Sequence, residues 1–393
     1  MKLNVTILAY NIFGIGGTVK TIVNTANHLV DNGFKVEIIS IKRTSDNPSF
    51  PIDKRIKIRT ISDSRAKYKY HGLNIYGTLA KKALSKVPSV LIHKDEDLYH
   101  NFSLYTDYRL LKRLKRLKDG ALITTIPSFN LISAKFLPSN IIKIGQEHKE
   151  YNVHSDKLQS KIKRHYDKLH ALTCLTDNAT NYYSDLLKGK ITRVINVPNA
   201  TKLGTTPAPL ESKQVIAIGR FVEDKGFDNL VLAFEKIVHK HPEWKLKIFG
   251  DGELKTNIRD MIHQRGLFNN IFIYPSTKNV SQEIRRSSIY ALSSNSESFG
   301  MVVIEAMAEG VPCVAFECDG PKKIINNNHD GILVPCGDIE AFSNNLLELI
   351  ENTGKRKQLG GNAFHSAKNY GLSTVGKKWE SILLSLHQSA FHN

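Results

Sequence analysis

Two carboxylates, Glu297 and Glu305, stand eight residues apart in the segment Ser296-Glu-Ser-Phe-Gly-Met-Val-Val-Ile-Glu-Ala-Met-Ala-Glu-Gly310. A hydrolase uses such a pair as acid and base when the two flank one scissile bond. Here the apolar spacing of Val302, Val303, Ala306 and Met307 predicts a buried helix. That places Glu297 in the loop before the helix and Glu305 about a turn inside it, so they need not face each other across one bond; two surface charges and ligands for two ends of one molecule both stay open. Gly300 near the helix start leaves backbone N–H groups around Phe299, Met301 and Val302 for an anion. Upstream, Gly219-Arg-Phe-Val-Glu-Asp-Lys-Gly226 joins a strand pattern to a helix pattern. Arg220 offers a planar fork and Lys225 a point charge, which together suit a diphosphate as well as they suit solvent. A third loop, Asn11-Ile-Phe-Gly-Ile-Gly-Gly-Thr18, puts Gly16 and Gly17 beside a helix start, as a ligand cradle or a tight turn. It lacks the GxGxxG spacing, and the following strand ends in Ser40-Ile-Lys-Arg43 without an acid for a ribose, which disfavours a nicotinamide enzyme.

The elements that must position these residues alternate. Residues 5–10 read as a buried strand and residues 21–30 as a helix with Ile22, Val23, Ala26, Leu29 and Val30 on one side. Gly33 stops that helix before a strand over 35–41. The pattern returns as a strand over 214–219, a helix over 227–239 and a strand over 245–249, so two Rossmann-like α/β halves are expected. Three prolines in residues 197–210 mark a linker. The expected division is a domain over 1–197, a second over 198–371, and a helix over 372–393 that packs back towards the first. That helix carries Val375, Trp379, Ile382, Leu383 and Leu386 on one face.

A chain of 393 residues, 41% hydrophobic and 23% charged, suits two soluble domains. The apolar start is short, lacks a small-residue cleavage site and reads as a strand, not a signal peptide. No apolar run reaches membrane-span length, so a cytoplasmic protein is expected. Cys174, Cys313, Cys318 and Cys336 lack zinc-site spacing and read as free thiols in a reducing compartment. Charge is divided unequally: residues 1–200 carry 33 Lys and Arg against 16 Asp and Glu, whereas residues 201–393 carry 22 against 21. A first half that meets a polyanion or an anionic membrane is implied.

The segment from Glu297 to Pro312, with Gly219-Arg220, Lys225-Gly226 and Gly250-Asp-Gly-Glu253 upstream, resembles the EX7E family of retaining glycosyltransferases, the family 4 enzymes of the GT-B fold. The resemblance covers almost all of the second half; in the first it rests on Gly16-Gly17 and Gly145-Gln-Glu-His148. It implies that Arg220 and Lys225 clamp the donor diphosphate and that Glu305 accepts hydrogen bonds from the donor ribose. Glu297 would hold hydroxyls of the transferred sugar, with backbone contacts from Phe299, Gly300, Met301 and Val302. His148 would touch the sugar near the reacting carbon. Tyr274 and Ser276 would lie near the nucleobase, although Pro275 stands where the family pattern has glycine. No carboxylate is then required as a covalent nucleophile. Neither a metal nor another cofactor is implied, and the DxD-like triplet Asp95-Glu-Asp97, set before a strand-like Leu98–Phe102, is not read as a metal site.

Within that family, Gly16 to Asn27 and Ile144 to His148 look most like teichoic-acid α-glycosyltransferases, which glucosylate polyol-phosphate chains. The resemblance implies a hexosyltransferase moving glucose or N-acetylglucosamine from a UDP-sugar to a polyanionic acceptor, with no nucleic-acid partner. Capsule or glycolipid synthesis at the inner membrane face, and a non-catalytic polyanion- or membrane-binding role, are the alternatives. Basic residues cluster over 54–86, 109–118 and 157–168. In the second cluster Leu110, Leu114 and Leu117 form a stripe, which either lies on an anionic membrane or packs on the domain core.

Overall fold

The computed structural model describes residues 3–68 and 74–391. The chain forms two compact units, one up to Pro198 together with the residues from Val375 onward, the other Asn199–Thr374. Each is built on a parallel sheet, so both are Rossmann-like α/β units, as the alternating pattern predicts.

In the first unit the strands are β1 (Asn4–Ala9), β2 (Lys35–Arg43), β3 (Lys57–Asp63), β4 (Ala121–Thr124), β5 (Ile142–Glu147), β6 (Ala171–Cys174) and β7 (Arg193–Asn196), in spatial order β3-β2-β1-β4-β5-β6-β7. Central strands are buried on both faces, hence the continuous apolar run of β1 rather than an alternating one. Order reverses between β1 and β4, and the loop carrying Gly16 follows β1 at the C-terminal edge of the sheet. The helix Leu104–Leu114 ends short of the basic run it opens. Its Leu110 and Leu114 are buried in the core cluster with Ile39, Ile41 and Ile61, and Leu117 packs against that cluster. The leucine stripe therefore faces the protein, not a membrane. Leu98–Phe102 forms no strand but a short 3-10 turn, Tyr99–Asn101. The terminal helix, Leu372–Phe391, buries Val375, Trp379, Ile382, Leu383 and Leu386, and Glu380 pairs with His28 of the helix Gly17–Asp31 at 2.8 Å.

In the second unit the strands are β8 (Gln214–Ile218), β9 (Lys245–Phe249), β10 (Ile271–Tyr274), β11 (Ile289–Leu292), β12 (Cys313–Phe316) and β13 (Gly331–Val334), ordered β10-β9-β8-β11-β12-β13. Its largest core cluster joins Phe221, Phe234, Ile248, Ala291, Val314 and Phe342, and the strand residues in it are register partners that share one face of the sheet. The order reverses between β8 and β11, and in open parallel sheets the crevice at such a reversal is where ligands bind. The two loops that leave those strands hold the sequence-predicted cations and acids.

Candidate functional site

Lys225 and Glu297 meet at that crevice. The loop after β8 runs through Arg220 to a 3-10 turn, Glu223–Lys225, then turns into the helix Phe227–Lys240 at Gly226. Gly226 has φ of 54°, and a Cβ there would lie 2.3 Å from the Ser293 carbonyl oxygen, so only glycine lets the two loops touch. Two hydrogen bonds fix the contact: Ser293 Oγ donates to the Lys225 carbonyl at 3.0 Å, and the Asn295 N–H donates to the Asp224 carbonyl at 2.8 Å. With the loops joined, the Lys225 ammonium forms an ion pair with the Glu297 carboxylate. Both side chains keep about a fifth of their surface exposed, 20% and 19%, so a ligand can reach them.

From the other side, the Gly320 N–H donates to the Glu297 carbonyl at 2.7 Å and anchors the same loop to the helix Asp319–Ile324. Gly300 then caps the helix Met301–Ala308, which has no side-chain cap and no acid in its first turn; that leaves its N-terminal end suited to an anion. Met301 and Val302 begin that helix, half-buried, and Phe299 is buried edge-on to Tyr370 at 6.0 Å. Glu305 lies a turn inside the helix and is only 4% exposed. Arg220 is exposed in the loop after β8. Tyr274 ends β10 and stacks on Phe249 at 4.9 Å, with Ser276 exposed beyond it. Among the described residues no group of three His, Cys, Asp or Glu side chains has metal-ligating geometry.

Gly16 and Gly17 open the helix Gly17–Asp31 in the first unit and are exposed, with no capping side chain and no acid in the first turn. His148 follows β5 at the same sheet edge. Its Nε2 is closed off from solvent and has no hydrogen-bond partner among the described residues. Burial pushes the imidazole down to about 4. Between that value and the ordinary 6.5 the unfolded chain binds the extra proton, so folding stability falls as pH falls. Acidification from pH 7 to 5 is expected to lower the melting temperature of the wild type more than that of His148→Gln in a thermal-shift assay. Equal losses would remove His148 as a source of acid sensitivity.

Glu147 lies inside the Gly145-Gln-Glu-His148 stretch, whereas the residues that hold it, Asn130, Tyr166 and His154, carry no motif. Glu147, 2% exposed, accepts from Asn130 Nδ2 at 2.9 Å and from the Tyr166 hydroxyl, and lies 3.5 Å from His154 Nε2. The acidic triplet has a structural role here. Asp97 pairs with Lys149 at 2.5 Å, Asp95 accepts from Ser155, and Glu96 accepts from the Ser128 N–H at 2.6 Å. A strand was expected next to it, so the triplet's grip on residues 149–155, far along the chain, had no local sign.

The second unit coincides with a family model: residues 201–366 match that of glycosyl transferases group 1. An uncharacterized glycosyltransferase of Haemophilus influenzae is 30% identical over 387 residues, covering 95% of this chain and 98% of that protein. The chain belongs to the group 1 glycosyltransferases. An exopolysaccharide phosphotransferase of Streptomyces coelicolor is 28% identical over 376 residues, 95% of this chain, but the chain spans only 40% of that protein's length. The poly(ribitol-phosphate) alpha-N-acetylglucosaminyltransferase of Staphylococcus aureus is 25% identical over 346 residues, covering 86% of this glycosyltransferase and 69% of that one. Among solved structures, a mutant of S. aureus TarM in complex with fondaparinux, alpha-GlcNAc-glycerol and UDP matches with a TM-score of 0.76 at 18% identity, over 97% of this chain and 100% of that chain. The glycosyltransferase thus has the GT-B fold, with two Rossmann-like units. No described helix is long and apolar enough to cross a membrane.

Proposed function

We propose that this glycosyltransferase moves glucose or N-acetylglucosamine from a UDP-sugar to a polyol-phosphate chain of the teichoic-acid type, with retention and without a metal. The observation that carries the donor half is the Lys225–Glu297 pair, braced at the sheet's switch point by the contacts of Gly226 and Gly320. In this reading Glu297 holds hydroxyls of the sugar, Lys225 and Arg220 neutralise the diphosphate, and Glu305 binds the ribose. The backbone from Phe299 to Val302 supports the phosphates, and Tyr274 and Ser276 border the base. Gly16 and Gly17 give the first unit room for the donor, and His148 contacts the sugar. The acceptor hydroxyl attacks the anomeric carbon on the face from which the UDP departs. As the carbon–oxygen bond to UDP breaks and the new glycosidic bond forms, the acceptor's proton passes to a departing phosphate oxygen. Work left to the protein is charge stabilisation and alignment, which the two cations and the uncapped helix start can supply.

The acceptor half draws on the charge asymmetry, 33 basic against 16 acidic residues in 1–200, and on the named reaction of the S. aureus relative. The likeness to an exopolysaccharide protein supports a second reading, an extracellular-polysaccharide acceptor, with the chain working at the inner membrane face. The two diverge in salt dependence. Transfer to purified poly(ribitol-phosphate) or poly(glycerol-phosphate) is expected to fall at least tenfold between 50 and 500 mM NaCl, as roughly Debye-length screening removes many weak contacts. Salt-insensitive transfer to a neutral glycan would select the second reading. Product anomeric configuration by NMR tests retention, and full activity in EDTA tests metal independence.

A further inference from the structure

Lys42 is a half-buried cation without a counter-charge. It is the last residue but one of β2, at the C-terminal edge of the first sheet. Its ammonium donates to the neutral Asn101 Oδ1 at 2.7 Å and lies 5.9 Å from the centre of the Tyr10 ring. No carboxylate among the described residues pairs with it, and burial pulls its pKa below the ordinary lysine value. The acids nearby in the sheet are committed elsewhere. β3 runs beside β2, with Lys42 opposite Ser62 and Arg43 opposite Asp63. Asp63 pairs with Arg65 at 2.5 Å, and Arg65 also takes Asp46. Arg43 turns onto its own loop, donating to the Asp46 carbonyl at 2.7 Å with its guanidinium 4.8 Å from the centre of the Phe13 ring. Lys42 is left desolvated and unneutralised, which is unfavourable until an anion supplies the missing charge.

Beside it stands a second donor that the fold does not use. The Lys42 N–H donates to the Tyr10 carbonyl at 2.9 Å, which sets Tyr10, the first residue beyond β1, against the end of β2. Phe102 holds the Tyr10 ring at 5.5 Å, and the Ile12 N–H donates to Ser40 Oγ at 3.1 Å, so the loop is fixed before it reaches Gly16 and Gly17. The Tyr10 hydroxyl bonds to no described residue, and burial raises its pKa, so it keeps its proton and can donate. An ammonium and a phenol on one rigid edge, with no acid to answer them, match the two free oxygens of a phosphodiester monoanion.

We propose that Lys42 and Tyr10 form a subsite for one phosphodiester of the acceptor chain, remote from the hydroxyl that receives the sugar. The subsite deepens the reading above and rests on it for the identity of the acceptor. Its distance follows from the strand order: β2 and β5, the strand that leads into His148, are three spacings apart, about 14 Å. A glycerol-phosphate repeat has as many backbone bonds as two amino-acid residues and extends to roughly 7 Å, so the gap is about two repeats. A chain can reach Lys42 while one of its hydroxyls lies near His148, and a single repeat cannot. The subsite therefore selects polymer over monomer, and a neutral glycan gains nothing from it.

The test is calorimetric binding of poly(glycerol-phosphate) and of glycerophosphoglycerol, a single phosphodiester, alongside steady-state transfer. Lys42→Met is expected to weaken polymer binding about tenfold, as for one charge-assisted hydrogen bond, with the kinetic loss in KM rather than kcat. Lys42→Arg should recover most of it, and Tyr10→Phe should lose about threefold. Lys35→Met removes a charge from the exposed opposite end of the same strand and should stay within twofold of wild type. Wild-type protein should bind glycerophosphoglycerol at least tenfold more weakly per phosphate than the polymer. Equal losses in Lys42→Met and Lys35→Met would reduce the effect to the general field of the unit and overturn the proposal. So would equal affinity per phosphate for the two ligands, or a wild type that does not bind the polymer. A loss of UDP affinity in Lys42→Met as large as that for the polymer would also overturn it, by making the donor diphosphate the anion. Polymer binding that depends on Lys42 in a protein that transfers no sugar to the polymer would leave the subsite standing and refute the reading of function. Transfer to the polymer that Lys42→Met leaves intact would do the reverse.

Discussion

Lys225→Met is expected to lower kcat/KM for nucleotide-sugar transfer by about 10³-fold while the melting temperature stays within a few degrees of wild type. The large kinetic effect follows from where the charge sits. Bond breaking in a nucleotide-sugar places negative charge on the diphosphate, and a fixed cation at that point acts far more strongly in the transition state than in the ground state. The small thermal effect follows from partial exposure: with about a fifth of each side chain accessible, the Lys225–Glu297 pair contributes modestly to folding. Glu297→Gln is expected to cost about 10² to 10³, and the double variant less than the product of the two losses, because both side chains serve one bound molecule. A double variant whose losses multiply cleanly would mean that the pair works at independent sites. Near-normal turnover in both single variants would end the assignment of this crevice to the donor.

How far the site could be read from sequence depended on whether its parts are local. The strand–loop–helix order around Arg220 and Lys225, and around Glu297 and Glu305, is written in adjacent residues, and the structure places all of them at the C-terminal edge of one sheet. That edge becomes a site only through the strand order, in which β8 and β11 are neighbours although more than seventy residues separate them. Nothing in the apolar periodicity of either strand encodes that pairing. The same holds for Ser293 and Asn295, which carry no motif and join the cation loop to the acid loop. In the first unit the leucine stripe of residues 109–118 fitted a membrane or a core equally well by period. The decision lay in the neighbouring β-strands, whose Ile39, Ile41 and Ile61 supply the apolar partners. Burial of Glu147 beside His148 could not be foreseen either, since its partners Asn130 and Tyr166 come from helix and turn residues with no shared motif.

Gly320→Ala is expected to lower kcat/KM by about 10²-fold, although position 320 is assigned no contact with any substrate. A methyl group there would sit 2.4 Å from the Phe299 carbonyl oxygen and 2.7 Å from that of Glu297. Both neighbours are backbone, so no side chain can swing aside. Either the loop from Glu297 to Phe299 retreats by most of an ångström or the helix Asp319–Ile324 does, and the 2.7 Å hydrogen bond between the Gly320 N–H and the Glu297 carbonyl is lengthened in both cases. Displacement on that scale uncouples Glu297 from Lys225 while the rest of the sheet stays in place. The loss should therefore appear with a folded protein whose affinity for the bare nucleotide changes less than its turnover, separable by calorimetry and steady-state kinetics. Gly361→Ala supplies the comparison: Gly361 lies exposed within the helix Thr353–Ser366, and a Cβ there would meet nothing within 4 Å. Alanine favours helix over glycine by about 1 kcal/mol, so that variant should be as active as wild type and slightly more stable. Full activity in Gly320→Ala would show that the position of the Glu297 loop does not limit transfer, and the role given to that acid would fail with it.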